Sequence, residues 1–209
     1  MKKGDLRLVV PPNFGWLEYT LNSQEMDYVW RCIKNKKESL KNDLAGNIFN
    51  SYQLMDRGDW FWVNVLKPLT DRYEETKGLG YKIPTIGRHP YGLKSWWVNY
   101  QKQNEFNPLH DHTGVYSFVI WVKIPIEWDE QNERDIARTS NDPNISSFQF
   151  VYNNILGEVT SYKYALSSRD EGRMLFFPSR LNHLVYPFYD CDEERITVSG
   201  NIALDTLKR

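Results

Sequence analysis

The amino-acid sequence predicts a mainly β protein in which N-terminal helices brace an antiparallel, jelly-roll sandwich. Two helical periodicities occupy the first 80 residues, and short strands separated by Gly, Pro, Asn and Asp follow them. Aromatic residues make up 15% of the chain, with 8 Trp and 13 Tyr, which favours a β-rich fold. At 209 residues we expect one domain, with helical support over residues 1–80 and the jelly-roll core over 81–209.

The helical signals come first along the chain. Asn22 followed by Glu25 is a capping box, and apolar residues at helical spacing continue from there to a predicted end near Gly46. A second helix is predicted from Asp59 to Gly78. Pro68 lies inside it, and because proline cannot donate a main-chain hydrogen bond, we expect a kink or a break there.

The strand signals begin after residue 80. A nearly continuous apolar stretch over 115–124 predicts a strand buried on both faces, whereas the alternation over 147–152 predicts a half-buried one. The polar segment Glu127 to Asn144 is predicted to be a long loop and is our candidate lid. The remaining predicted strands are 96–100, 162–166, 173–177 and 195–203.

Composition and charge limit the partners and the location. A formal charge of -1 gives no electrostatic argument for nucleic acid or a membrane as the main partner. Cys32 and Cys191 form neither a disulfide framework nor a zinc pattern, and no signal-peptide or membrane-span pattern occurs in the sequence. We therefore expect a soluble, cytoplasmic protein of unknown oligomeric state.

Three of the four histidines point to a metal site. His110 and His112 are two residues apart, so on a strand they project to one face, while Asp111 between them should point the other way. His183 ends a second β-rich stretch and can supply a third ligand. Imidazole is a common ligand for iron, and three polar, metal-competent residues before a buried strand are costly without a partner. We expect no role for His89, which lies between Pro and Gly residues in a turn.

Arg195 begins the last predicted strand. An arginine there can bind a carboxylate through two parallel hydrogen bonds, and Thr197, on the same face, can add a third. A surface ion pair is the alternative, because acidic residues precede Arg195 directly. Close histidines, one distant histidine and a late strand arginine together predict a non-haem iron site with an organic-acid cosubstrate.

These residues resemble the 2-oxoglutarate and Fe(II)-dependent oxygenases, in a branch common in cyanobacterial viruses. The similarity covers about Trp96 to Leu204 and includes WVNY, NPLHDHTG, FVIW, LFFPSRLNH and RIT. The resemblance implies a cupin-like double-stranded β-helix (jelly-roll) and a hydroxylase that releases succinate and CO2 from 2-oxoglutarate. It implies iron ligation by His110 and His183, and 2-oxoglutarate binding by Arg195 and Thr197, with Tyr100 as a second contact.

The chain departs from the usual His-x-Asp or His-x-Glu pattern, because His112 stands at the third position. The iron site has three histidines, or Asp111 turns inward, or His112 is itself the first histidine. Asp111 is otherwise expected to orient an imidazole from outside the site. Two alternatives to the hydroxylase are a three-histidine dioxygenase without 2-oxoglutarate and a non-catalytic jelly-roll module that binds a partner or a virion. The substrate, an amino acid, a peptidyl side chain or another small molecule, is left open.

Overall fold

The computed structural model describes residues 7–10, 13–40, 44–87 and 89–206, which form two antiparallel sheets and few helices. The ten strands are β1 (Leu17–Thr20), β2 (Asn50–Gln53), β3 (Tyr91–Gln101), β4 (Asn107–His110), β5 (Tyr116–Lys123), β6 (Phe148–Asn153), β7 (Val159–Tyr164), β8 (Arg173–Pro178), β9 (His183–Val185) and β10 (Arg195–Leu204). The α-helices are α1 (Ser23–Lys34), α2 (Lys67–Thr76), α3 (Trp128–Asn132) and α4 (Asp135–Arg138).

The strands form a sandwich of one large and one small sheet. The large sheet has the order β1-β8-β5-β10-β3-β2, and the small sheet has the order β4-β9-β6-β7. One apolar core lies between the large sheet and the N-terminal helices, and a second lies between the two sheets. The mainly β, jelly-roll prediction is confirmed.

The central strand β5 contributes to both cores. Phe118 and Ile120 belong to the core on the helix side, and Val119 and Trp121 belong to the core between the sheets. Side chains of a strand alternate between its faces, so a strand covered on both sides is apolar at most of its positions. This confirms the burial that was predicted from its continuous apolar sequence.

The first helix begins as predicted but ends earlier. The Asn22 side chain accepts a hydrogen bond from the Glu25 N–H, and the Glu25 carboxylate accepts one from the Asn22 N–H, which completes the capping box. The helix ends at Lys34 and not near Gly46. Beyond it, the N–H groups of residues 37 and 40 donate to carbonyls of β2, so the chain runs along that strand. Residues 41–43 of the predicted helix lie outside the described residues.

Pro68 lies in the first turn of α2, directly after a π-type turn over Trp62–Leu66. In that turn the Lys67 N–H donates to the Trp62 carbonyl, five residues back. Pro68 lacks an N–H, and its ring crowds the preceding turn of the helix. The wider turn accommodates it, so the predicted irregularity takes the form of a π-turn. Asp56 begins this helical segment by accepting from the N–H groups of Phe61 and Trp62.

The segment 127–144 is neither an extended loop nor part of the central cavity. It contains α3 and α4, and the Gln131 amide exchanges two hydrogen bonds with the main chain of Tyr189. Asn132 exchanges two more with Ile145. Because the amide side chains of Gln131 and Asn132 attach this segment to the core, and because it does not line the central cavity, the lid prediction is corrected. Over the described part of the chain, we find no helix with the length and apolarity that a bilayer span requires.

Candidate active site

A cavity of about 370 Å³ lies between the two sheets. Alternate residues of β3 and β10 face it, because side chains two apart on a strand share a face. The antiparallel register places Gln101 opposite Arg195 at one end of this surface. The paired residues that follow toward the other end are Asn99 with Thr197, Trp97 with Ser199, and Ser95 with Asn201.

The structure brings His110, His112 and His183 together on the wall of this cavity. His110 at the end of β4 is the register partner of His183 at the start of β9. His112 lies just beyond β4, where its N–H donates to the Ser179 carbonyl. One nitrogen from each ring lies within 4.8 Å of the other two, and this is the one such group of ligand-forming side chains among the described residues.

Two of the rings are oriented by a main-chain carbonyl that lies two residues earlier in the chain. His110 Nδ1 lies 2.7 Å from the Pro108 carbonyl oxygen, and His183 Nδ1 lies 2.9 Å from the Leu181 carbonyl oxygen. A carbonyl can only accept, so each Nδ1 carries the proton and each Nε2 keeps its lone pair. Carbonyl contacts of this kind are the usual outer partners of metal-binding histidines.

The separation of the ring nitrogens fits a divalent metal ion. The Nε2 atoms of His112 and His183 are 3.0 Å apart. Imidazole nitrogens bind a divalent ion at about 2.1 Å, so two of them at right angles around one ion are about 3 Å apart. Without an ion, a proton must lie between these two atoms. Three neutral imidazoles therefore form a set of donors that fits Fe(II).

Burial keeps all three rings neutral. It lowers the pKa of His112 to about 4 and the pKa of His183 well below its ordinary value. Burial also lowers the pKa of His110. Repulsion between the protonated forms of neighbouring imidazoles lowers the pKa of His112 and His183 further. Neutral imidazole is the form that binds metal, so protons compete weakly for this site near pH 7.

Asp111 contacts an arginine, and among the described residues no hydrogen bond joins it to the three histidines. Its carboxylate lies 3.0 Å from Arg180 Nη1, in an exposed ion pair. The sequence predicted that Asp111 orients an imidazole from outside the site, but main-chain carbonyls contact His110 and His183 in its place. The expectation for Asp111 is corrected accordingly.

Arg195 lies at the closed end of the cavity, and its side chain is fully buried. Its guanidinium donates to the Gln101 side-chain oxygen, to the carbonyl and hydroxyl of Ser146, and to the Tyr186 carbonyl. Phe188 packs against its face. All of these partners are neutral, so the predicted alternative of a surface ion pair is wrong.

The positive charge of Arg195 has no carboxylate partner among the described residues. Burial lowers its pKa to about 10, which still leaves it charged at neutral pH. A buried, uncompensated charge is unfavourable, and an anion in the adjoining cavity would neutralise it. The donors at this end fit a carboxylate, as the histidines fit a metal ion.

The other residues predicted to bind the cosubstrate separate into two groups. Thr197 lines the cavity, two residues from Arg195 on the same face of β10. Tyr100 lies on the opposite face of β3, where its ring contacts Tyr52 and Lys36. The expectation for Tyr100 is therefore corrected, because its neighbour Asn99 is the residue that faces the cavity.

Sequence reasoning missed several cavity residues. Asn99 lines the cavity, and its side-chain oxygen accepts from the Ser51 hydroxyl. Gln101 lines it and contacts Arg195. The two-residue spacing along β3 could have identified them, since residues 95, 97, 99 and 101 share a strand face. His89 lies beside a different cavity, away from the three histidines.

The sequence profile of the 2OG-Fe(II) oxygenases matches residues 95–201, just over half of the chain, and includes all three histidines and Arg195. The chain belongs to the 2OG-Fe(II) oxygenase family. This oxygenase is therefore a dioxygenase that uses Fe(II) and 2-oxoglutarate, and the alternatives without 2-oxoglutarate or without catalysis no longer apply. Membership of the family implies a small-molecule or peptidyl substrate.

Solved structures with the same fold include two prolyl hydroxylases. A Pseudomonas putida prolyl-4-hydroxylase superposes with a TM-score of 0.56 at 11% identity, covering 92% of this chain and 94% of that one. A viral collagen prolyl hydroxylase from Paramecium Bursaria Chlorella virus-1, solved with 2OG, gives 0.51 at 14% identity, covering 90% and 94%. At these identities the likeness concerns the fold. No curated protein matches the oxygenase.

Proposed function

We propose that His110, His112 and His183 bind the Fe(II) of this oxygenase, and that Arg195 and Thr197 bind the distal carboxylate of 2-oxoglutarate. The observation that carries the proposal is the pairing, within one cavity, of three converging imidazoles with a buried arginine that has no acidic partner among the residues the structure describes. A ligand with an anionic end and a metal-chelating end matches this arrangement of donors.

The chemistry comes from the bound cofactors, and the protein supplies binding, orientation and a dry surrounding. With both bound, molecular oxygen is divided between a substrate C–H bond, which becomes C–OH, and 2-oxoglutarate, which leaves as succinate and CO2. Phe148 and Phe177 pack against the His183 ring, and Trp97 lies against His112. These rings exclude water from one side of the site and fix the imidazoles.

The substrate is expected to approach from the histidine end of the cavity. Arg195 and Gln101 close the opposite end, since they are 0% and 2% exposed. Asp111, Thr113 and Ala45 are the exposed residues of the lining, and they mark the open side. We propose hydroxylation of a small molecule or a peptidyl side chain at this opening.

We also propose that residues 1–209 form one oxygenase domain. β1 pairs with β8 and β2 pairs with β3, so the first 80 residues supply both edge strands of the large sheet in addition to the helices. Cys32 and Cys191 are free thiols, which favours a reducing compartment, and we propose the cytoplasm.

The test is anaerobic titration of the protein with Fe(II), with and without 2-oxoglutarate, followed by the visible absorption band of the chelated cosubstrate. His183→Ala is expected to abolish iron binding, whereas Arg195→Met is expected to keep iron and lose the band at moderate 2-oxoglutarate concentration. His89→Ala and Arg138→Met, which change the same residue types outside the cavity, serve as matched controls. Iron binding retained in His183→Ala would contradict the ligand assignment.

A further inference from the structure

Two kinds of partner cover the Arg195 guanidinium. The edge formed by Nε and Nη2 contacts a single side-chain atom, Gln101 Oε1, at 3.0 and 2.7 Å. This is an edge of the guanidinium that presents two parallel N–H groups, the geometry that a carboxylate matches best. A neutral amide therefore lies where an acidic ligand is expected.

The remaining N–H groups of Arg195 contact Ser146 and the main chain. Nη1 donates to the Ser146 carbonyl at 2.9 Å and to its hydroxyl at 3.3 Å, and Nη2 donates to the Tyr186 carbonyl at 3.2 Å. Both residues are held by main-chain hydrogen bonds, which run from Ser146 N–H to the Pro187 carbonyl and from Tyr186 N–H to the Ser147 carbonyl. The two carbonyls cannot leave without a change in the main chain around them, and rotation of the Ser146 hydroxyl would free one N–H group only.

The orientation of the Gln101 amide follows from its neighbours. A guanidinium only donates, so the atom that faces Arg195 must be the oxygen. The Gln101 Nε2 group donates to the Glu105 carbonyl at 2.6 Å, which requires the same orientation. Gln101 is 2% exposed and lines the cavity, so rotation of its side chain would open the Nε–Nη2 edge directly to that cavity.

We infer that Gln101 is a neutral placeholder, whose carboxamide occupies the Nε–Nη2 edge of Arg195 and rotates away when the distal carboxylate of 2-oxoglutarate binds. The inference rests on the proposed role of Arg195. All five N–H groups of Arg195 have acceptors, so a carboxylate can make two hydrogen bonds only if an acceptor leaves. Gln101 is the one partner that can free two parallel N–H groups by side-chain rotation alone.

The placeholder satisfies buried donors in the free protein and adds no charge of its own. A glutamate at this position would form a permanent buried ion pair with Arg195 and compete with the ligand. An apolar residue would leave two buried N–H groups without acceptors until the ligand arrives. The two substitutions should therefore change 2-oxoglutarate affinity in opposite directions.

The experiment measures 2-oxoglutarate binding by calorimetry to the anaerobic Fe(II)-loaded full chain carrying Gln101→Met or Gln101→Glu. We expect Gln101→Met to bind about tenfold more tightly, because the ligand then satisfies two otherwise unpaired buried donors. We expect Gln101→Glu to bind at least about 100-fold more weakly, because a buried ion pair must break. Gln149→Met, at a buried glutamine that contacts Asn144 and Ser147 and not Arg195, should bind like the unchanged protein.

Glutarate, which lacks the keto group, supplies a second probe for the arginine end alone. The same order of affinities is expected in thermal-shift measurements with it. The placeholder role is wrong if Arg195→Met abolishes binding but Gln101→Glu keeps its affinity or Gln101→Met binds more weakly. Unchanged 2-oxoglutarate affinity in Arg195→Met instead refutes the proposed function, so the two failures are distinguishable.

Discussion

Replacing Arg195 with methionine should remove 2-oxoglutarate binding and leave the fold almost as stable as before. The loss of affinity follows from the two parallel hydrogen bonds that a carboxylate makes with a guanidinium. Each hydrogen bond to a charged group contributes about 1.5–3 kcal/mol. The sum of about 3–6 kcal/mol corresponds to a loss of roughly 10²- to 10⁴-fold in affinity.

The small effect on stability comes from two opposing terms. Burial lowers the pKa of Arg195 from 12.5 to about 10, which means that holding the charge costs about 3 kcal/mol. Removing the guanidinium relieves that cost but leaves Gln101, Ser146 and Tyr186 without their donor. At about 1 kcal/mol for each of these groups, the terms nearly cancel.

The assay combines urea unfolding of the metal-free protein with calorimetric titration of 2-oxoglutarate into the Fe(II)-loaded protein. The expected result is an unfolding free energy within about 2 kcal/mol of the unchanged protein, together with loss of the binding signal. A strongly destabilised variant that still binds 2-oxoglutarate at its original affinity would refute the reasoning. Arg195 would then be a structural arginine that only ties β10 to its neighbours.

Three further predictions concern the metal site, the core and pH. Asp111→Asn should change iron affinity by less than about tenfold, because Asp111 pairs with Arg180. Loss of His183 should lower iron affinity by more than the roughly 10- to 100-fold that the loss of an outer partner costs, and iron titration of the two variants compares them. Gly200→Ala should lower the unfolding free energy in urea by about 2–3 kcal/mol. The added Cβ would lie 2.6 Å from Phe118 ring carbons and 2.8 Å from a main-chain oxygen. An unchanged urea midpoint would contradict this close packing. The unfolding free energy of the metal-free protein should fall by about 1–2 kcal/mol from pH 7 to pH 5. The pKa of His112 is about 4 in the folded protein and 6.5 in the unfolded chain, so only the unfolded chain takes up a proton in this range. An unfolding free energy that does not change with pH would count against a buried neutral ring.

Local sequence patterns predicted several elements of the fold. The capping box at Asn22 located the start of α1, and the continuous apolar stretch of β5 indicated burial on both faces. Both signals act within one turn or one strand, so they are visible without tertiary information. The short strands β1, β2, β4 and β9 were missed, because three or four residues contain too little periodicity to distinguish a strand from a loop.

The errors at the site have a common physical origin. The resemblance implied a contact from Tyr100, but the sequence of a strand does not show which of its faces is directed to the cavity, and the structure places Asn99 there. The apolar spacing continued past Lys34, but the chain there pairs with β2, which ends the helix. In both places the environment supplied by another strand decided the outcome.

Sequence patterns alone predicted the fold class, the residue types of the proposed metal site and the last-strand arginine that we propose binds a carboxylate. These follow from periodicity and from side-chain chemistry, which are properties of single segments. The packing of distant strands was needed to show that His110 pairs with His183, that Asp111 contacts Arg180, and that Gln101 covers Arg195. Register and burial depend on strands that are distant in the sequence, and no local pattern encodes how they meet.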